Sequence, residues 1–584
     1  MGNDEQRQSS EYTVAVGWTA TEETVSIYFF IFLSLLAFTL VLCNKLHHSP
    51  KLYWFPEAGL IILVGLVVGG IFSIFDNGSS SGDGGDVDDG FYEDNEEEEE
   101  IIEGLLSFSP KVFFVGLLPP IIFNSGYHIK NELFMRHIVP IFLYACLGTA
   151  ISTFAVALFL ELAVELGLTG SFKPTVGELL TFGALISATD PVSTLAVFQQ
   201  KRVDPQLFYL CFGESIMNDA VGLVLFNTFG KFVGHEENIT KVTIAIAAFG
   251  LDFLYIFCGS LALGIFSGAI VGYLFKIVNM KDTPLLELSL YCLIVYFPFF
   301  LAETLRLSGI VTILFSGLAS KRYAEPNLNE SSKKSADSLF RVLAHLAESA
   351  IFLELGLSMF GLPRHITHPD FIICAFVACL IGRALNVYPI SFAINRTLDK
   401  RESVQGPPLA NDSELHSSLP ELVSMSEDMR VGNSTVHMLW YAGLRGAVAY
   451  ACAKSFPNDH GHKNDFASTT MWIILITVFF FGSTTDAVLN YLKIEVNVDE
   501  NSYLAERPVT QDDGILRRLD RYIYPLATQG GSKNIVNGPT SIEMQDLEGE
   551  GPDRGTSNLE GFYSGNNDDH STSDNSSLYD IGGT

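Results

Sequence analysis

The feature that most constrains this chain is a succession of apolar stretches about 20 residues long, each bounded by charge or proline and too long for the core helices of a water-soluble domain. In lipid such a segment has to close its backbone hydrogen bonds internally, so each is expected to be an α-helix crossing a bilayer. About thirteen spans are placed by this criterion, starting near residues 25, 57, 110, 137, 179, 206, 246, 285, 306, 338, 370, 434 and 469. The expected fold is an all-α polytopic membrane protein. It divides into an external or lumenal segment 1–24, a transmembrane domain 25–492 and a cytoplasmic, mostly disordered tail 493–584. Two divisions are weakly marked: the turn around Glu303 and Arg306, and the long stretch from Ile244 to Phe275.

The formal charge of -31 suggests a soluble acidic protein until the acids are mapped. They gather in an acidic loop, 76–108, and in the tail, leaving the apolar blocks almost bare. The loop holds Asp83, Asp86, Asp88, Asp89, Glu93, Asp94 and the run Glu96 to Glu100, and from Asp76 to Glu103 no Lys or Arg. Such a segment is expected to be solvated and disordered. Nothing in this balance fits a nucleic-acid partner. The eight cysteines lie within or beside apolar segments with no CxxC, a pattern of neither a disulfide scaffold nor a zinc site. No resident cofactor is expected.

Orientation follows from basic residues. Alternate loops carry Lys45, Lys51, Lys130, Arg136, Lys201, Arg202, Lys276, Lys281, Lys321, Arg322, Lys333 and Lys334, and the loop 396–433 adds Arg396, Lys400, Arg401 and Arg430. The positive-inside rule makes that side cytoplasmic, with the N-terminus external or lumenal and the tail inside. The sequons at Asn77 and Asn238 then face outward, where glycosylation is chemically available. MGNDEQRQSS lacks the basic region of a secretory signal, so the first apolar run is expected to remain as a helix.

A charge in mid-bilayer costs about 2.5–3.5 kcal/mol on insertion scales, which makes ionisable residues within spans functional candidates. Span five, LLTFGALISATDPVSTLAVF, carries Thr189, Asp190 and Pro191; span six, LFYLCFGESIMNDAVGLVLF, carries Glu214, Asn218 and Asp219; spans eleven and twelve carry Arg383 and Arg445. On a helix Asp219 points about 140° away from Glu214, so the two acids serve different surroundings. Glu214 is expected to pair with Arg383, leaving Asp219 facing a watery cavity as the ion ligand. Pro191 removes a backbone donor and disfavours helix at the residue before it, so span five is expected to break there. Gly443 and Gly446 bracket Arg445 and mark a second break in span twelve. Interrupted helices at matching places of inverted repeats point to a transporter's ion site, with Asp190 and Arg445 balancing the freed helix ends.

The segments ATDPVSTLAVF, FGESIMNDAVGLVLF, LLPPIIFNSGYHI, GRALNVYP and GLRGAVAYA resemble, in order and over about residues 25 to 492, the eukaryotic sodium/proton exchanger family. The wording of FGESIMNDAV, TPLLELSL, LAETLRLSGIVTILFSG and GRALNVYP is nearest the organellar, Golgi and endosomal branch; the plasma membrane is the alternative location. The resemblance implies a thirteen-helix fold with inverted repeats, a homodimer, elevator-like movement of an ion-carrying core, and regulatory partners for the tail. It makes Asp219 the cation and proton carboxylate, with Asn218, Thr189 and Asp190 around it. It matches Glu214 and Arg383 to the family's internal ion pair and Arg445 to the base of the second break. The Asn218-Asp219 pair resembles the electroneutral type. Asn124 stands where the family commonly has an acid, so no ion-pathway role is carried over to it.

The expected function is secondary active transport, not enzymatic: one Na⁺ or K⁺ exchanged for one proton, the two competing for the single charge of Asp219, in the service of cytoplasmic or organellar pH. Two rival readings stand beside it. Acids lining a pore also select cations in a channel, and Asp190 and Asp219 on consecutive spans would be the acid/base pair of an intramembrane aspartyl protease, although neither lies in a GxGD setting.

Overall fold

The computed structural model describes residues 20–47, 56–79, 112–190, 192–231, 233, 239–278, 280–360, 368–405, 430–500, 502–503 and 522–528; most of the acidic loop and of the tail lie outside these. The described residues form helices and connecting turns, without strands. In chain order the helices are α1 (Ala20–His47), α2 (Glu57–Ser79), α3 (Leu118–His128), α4 (Asn131–Arg136), α5 (Ile138–Phe142), α6 (Thr149–Glu165), α7 (Val176–Ser187), α8 (Val192–Lys201) and α9 (Pro205–Gly230). They continue as α10 (Ile239–Ile277), α11 (Pro284–Thr304), α12 (Gly309–Ala319), α13 (Glu330–Leu357), α14 (Pro369–Gln405), α15 (Asn433–Tyr441), α16 (Ala447–Lys454), α17 (Lys463–Ile476) and α18 (Ser483–Tyr491).

Local chemistry sets many of the starts. Thr175 and Glu178 form a capping box on α7, Asp204 caps α9 with Pro205 in its first turn, and Ser308 and Asn329 accept from first-turn amides of α12 and α13. Single-turn π-helical stretches, Phe113–Leu117, Leu143–Gly148 and Thr477–Gly482, interrupt the α-helical hydrogen-bond pattern of three crossings without ending them.

Nine stretches of the described residues are long and apolar enough to cross a membrane. The remaining expected spans, near 110, 306, 338 and 434, coincide in position with helices that are short (α3, α12), polar over their first half (α13) or broken (α15 and α16). The two weak divisions are now plain. The chain turns sharply between α11 and α12, where Arg306 takes a left-handed φ of 58°, and α10 runs unbroken across the doubtful stretch. On α11, Leu285, Leu293 and Phe297 are 79%, 74% and 63% exposed, an arrangement suited to lipid rather than water.

Two groups of helices emerge from the packing. In the first, α7 lies against α6, α9 and α16, and α14 lies against α6, α15 and α17. In the second, α12 lies against α3, α10 and α11, and α13 against α2, α3 and α11. Small residues permit the closest approaches of the second group: a Cβ at Gly264 of α10 would fall 2.5 Å from the Thr312 carbonyl oxygen of α12. The first group holds both broken helices.

Candidate functional site

The first break opens where α7 ends at Ser187, with Ala188 extended, and α8 begins at Val192. The second separates Tyr441 at the end of α15 from Ala447 at the start of α16. The breaks touch, because the Asp190 amide donates to the Leu444 carbonyl at 2.9 Å. Backbone groups freed by the interruptions are then met by charge. The Asp190 carboxylate accepts from the amides of Val192, at 3.2 Å, and Ala447, so a single anion serves the positive N-terminal ends of α8 and α16. The Arg445 Nη1 donates to the carbonyls of Ser187 and Ala188, each at 3.0 Å, answering the negative end of α7. Gly446 makes the meeting feasible, since a Cβ there would occupy the space of the Asp190 carboxylate.

Helix α9 supplies the next layer. Glu214 is gripped by both terminal nitrogens of Arg383, whose Nη2 lies 2.8 Å from Glu214 Oε2 and also donates, with Nε, to the Leu439 carbonyl at 2.7 and 3.2 Å. One turn on, Asn218 Nδ2 donates to Thr189 Oγ1 at 2.6 Å, while Asn218 Oδ1 accepts from the Thr189 amide at 3.4 Å. Asp219 is buried, with 8% exposure, and its Oδ1 has no hydrogen-bond partner among the described residues.

Thus Asp219, Asn218, Thr189, Asp190, Glu214, Arg383, Arg445, Gly443 and Gly446 come together around the paired breaks. Pro191 and Asn238 lie outside the described residues, and Asn77 falls in the last turn of α2. Asn124 sits on α3, in the second group of helices. Two contributors escaped the sequence reading. Ser215 donates to the Thr189 carbonyl at 2.9 Å, and Thr477 accepts from the Arg445 amide at 3.2 Å. The first had a signal: Ser215, Asn218, Asp219 and Gly222 fall at i, i+3, i+4 and i+7, one face of α9. Thr477 had none, being a hydroxyl within an apolar run.

Chemically, Glu214 and Arg383 neutralise each other, and Asp190 and Arg445 are set against helix ends. Asp219 keeps a buried carboxylate oxygen with no hydrogen-bond partner among the described residues.

The profile described as sodium/hydrogen exchanger, transmembrane, matches residues 34–491. Sodium/hydrogen exchanger 9 of Mus musculus is 34% identical over 420 residues, covering 71% of this chain and 60% of that relative. Sodium/hydrogen exchanger 8 of Rattus norvegicus is 34% identical over 493 residues, covering 82% of this chain and 75% of the relative. This chain therefore spans about 60% of the length of the first of these. Among solved structures, the sodium proton antiporter MjNhaP1 from Methanocaldococcus jannaschii aligns with a TM-score of 0.52 at 16% identity, over 80% of this chain and 98% of that one, a likeness of fold. With a profile match running from the first span to the last, the chain belongs to the sodium/hydrogen exchanger family.

Proposed function

We propose that the protein exchanges one monovalent cation, Na⁺ or K⁺, for one proton across its membrane, with both ions competing for Asp219. The observation that carries this reading is the contrast between Asp219, whose buried Oδ1 has no partner among the described residues, and the balanced charges around it. A bare carboxylate in that setting is unfavourable, so the loaded states hold either a proton or a cation. If the first group of helices crosses only when Asp219 is neutral, each cycle moves no net charge. Asn218, held by Thr189, adds no second negative charge beside it. Thr189 and Asp190 shape the ion's surroundings, and the names of the exchanger relatives fit the same chemistry.

In this reading the second group of helices is the stationary scaffold of a homodimer, and the first moves against it. The Lys- and Arg-rich loops face the cytoplasm together with the tail, and an organellar membrane is the proposed location, argued from the wording of the span-six and span-eleven motifs. Regulators that bind the tail belong to the same proposal, as does glycosylation at Asn77 or Asn238.

The test is proton flux in proteoliposomes at clamped voltage, with Na⁺, K⁺ and Li⁺ presented separately. Asp219→Asn should eliminate exchange while eluting as a folded protein; coupled exchange retained by that variant overturns the assignment. Direct competition also requires the apparent cation affinity to weaken by up to about tenfold per unit of falling pH, once the proton dominates the site.

A further inference from the structure

Away from the breaks, at the end of the first helix group where α7 begins, two imidazoles enclose one aromatic ring. Phe172, in the loop between α6 and α7, is 4% exposed. His368 stacks on its face at 5.0 Å and 22°, and His462 meets it at 5.0 Å and 72°. Each imidazole also faces a buried carboxylate. His462 Nδ1 lies 3.1 and 3.2 Å from the two oxygens of Glu178, and His368 Nε2 lies 3.4 Å from Asp465 Oδ1, an ion-pair distance rather than an aligned hydrogen bond. Glu178 cannot turn away readily, because its Oε2 accepts from the amide and hydroxyl of Thr175 in the capping box. The other charged groups of these segments are Asp370 on α14, Lys463 on α17, Lys454 at the end of α16, Lys173 in the α6–α7 loop, and the exposed Asp459 and His460 before α17.

We propose that His368 and His462 form an acid-tightened clamp that ties the α6–α7 loop to the outer ends of α7, α14 and α17. A neutral imidazole offers a carboxylate one N–H donor and no net charge, whereas the protonated ring carries a donor on both nitrogens and a positive charge that attracts the carboxylate directly. The protonated His368 also lies over the face of Phe172, a favourable place for a cation. The clamp therefore tightens on acidification, as the rings gain charge beside their carboxylates. Phe172 with Glu178, His368, and His462 with Asp465 come from three distant stretches of the chain, so tightening stiffens tertiary structure and not one helix alone. By the orientation proposed above, this end faces away from the cytoplasm, and an acidic compartment would hold it closed; that sidedness rests on the proposed topology, whereas the clamp itself does not.

Hydrogen exchange on the full-length protein in detergent, corrected for intrinsic rates, reads the clamp directly at pH 5.5 and 7.5. The Asp219→Asn background keeps the proton of the proposed ion site out of the comparison. Protection of segments 166–175 and 455–462 should be greater at the acid pH, and His368→Gln/His462→Gln should abolish that difference while leaving protection at pH 7.5 near that of the parent. Equal protection of the parent at both pH values, or a pH difference that persists in the double variant, overturns the proposal. If the double variant does not fold, Glu178→Gln and the parent measurement serve in its place: loss of part of the acid increment supports the clamp, and an unchanged increment refutes it. Detergent exposes both faces, so sidedness is read separately, by impermeant thiol labelling of Asp459→Cys, compared with the parent, on intact organellar vesicles with the cytoplasmic face outward; protection until the membrane is permeabilised supports the compartment reading, and labelling of the intact vesicles removes it and leaves the clamp standing.

Discussion

Glu214 and Asp219 are five positions apart on one helix, yet their situations are opposite. Glu214 and Arg383 are 1% and 4% exposed at the side chain and bonded through both carboxylate oxygens. Removing only the arginine leaves a buried anion with no counterion, so Arg383→Ala should destabilise the protein by about 3–5 kcal/mol. The check is thermal unfolding of the purified variant in detergent, and an unchanged midpoint would contradict the structural role of the pair. A double change, Glu214→Gln with Arg383→Met, should recover part of the loss, because neither charge is then stranded. Gly446 makes a different demand. Its replacement by Ala forces a Cβ into the Asp190 carboxylate, and the shift required should cost about 1–3 kcal/mol and slow exchange. A Gly446→Ala protein with the parent's stability and rate would mean that the two breaks do not need their close contact.

Among the elements, the two half-helix pairs are the decisive ones. Each interruption frees amides and carbonyls that an unbroken helix would satisfy internally. Asp190 and Arg445 satisfy those groups across the junction, so α8, α16 and α7 are joined by their ends. Elsewhere the elements are held by ordinary means. Loss of the Thr175 hydroxyl removes half of the α7 capping box, and Thr175→Ala should cost about 1 kcal/mol, seen as a lowered unfolding temperature. Gly264→Leu should be costlier, about 1–3 kcal/mol, because α10 has no room to withdraw from the Thr312 carbonyl without parting from α12. Leu285→Ala, on the exposed face of α11, provides the control and should leave the monomer's unfolding temperature nearly unchanged.

For the whole molecule, the proposed one-for-one exchange makes a prediction independent of any mutation: the rate in proteoliposomes should be the same at clamped potentials of either sign, and a steep voltage dependence would require a net charge to move in each cycle. Helical class and most crossings were legible in the sequence because an apolar run needs only its own backbone to become a helix in lipid. Legible too were the charged residues of the site, since Asp190, Glu214, Asp219, Arg383 and Arg445 stand out against apolar neighbours. Less visible were α12 and α13, one short and one half polar, and the hydroxyl of Thr477, whose use depends on an arginine amide from another helix. Periodicity could separate Glu214 from Asp219 by angle, but it could not measure what stood opposite each. That was decided by tertiary structure: Arg383 reaches Glu214 across 169 positions of sequence, and Arg445 reaches the end of α7 across 258. The chain's own pattern determined that acids would lie within the membrane, a local property of each helix. Only the packing of distant helices determined which acid kept an oxygen without a partner, because neutralisation at short range is a relation between chain segments.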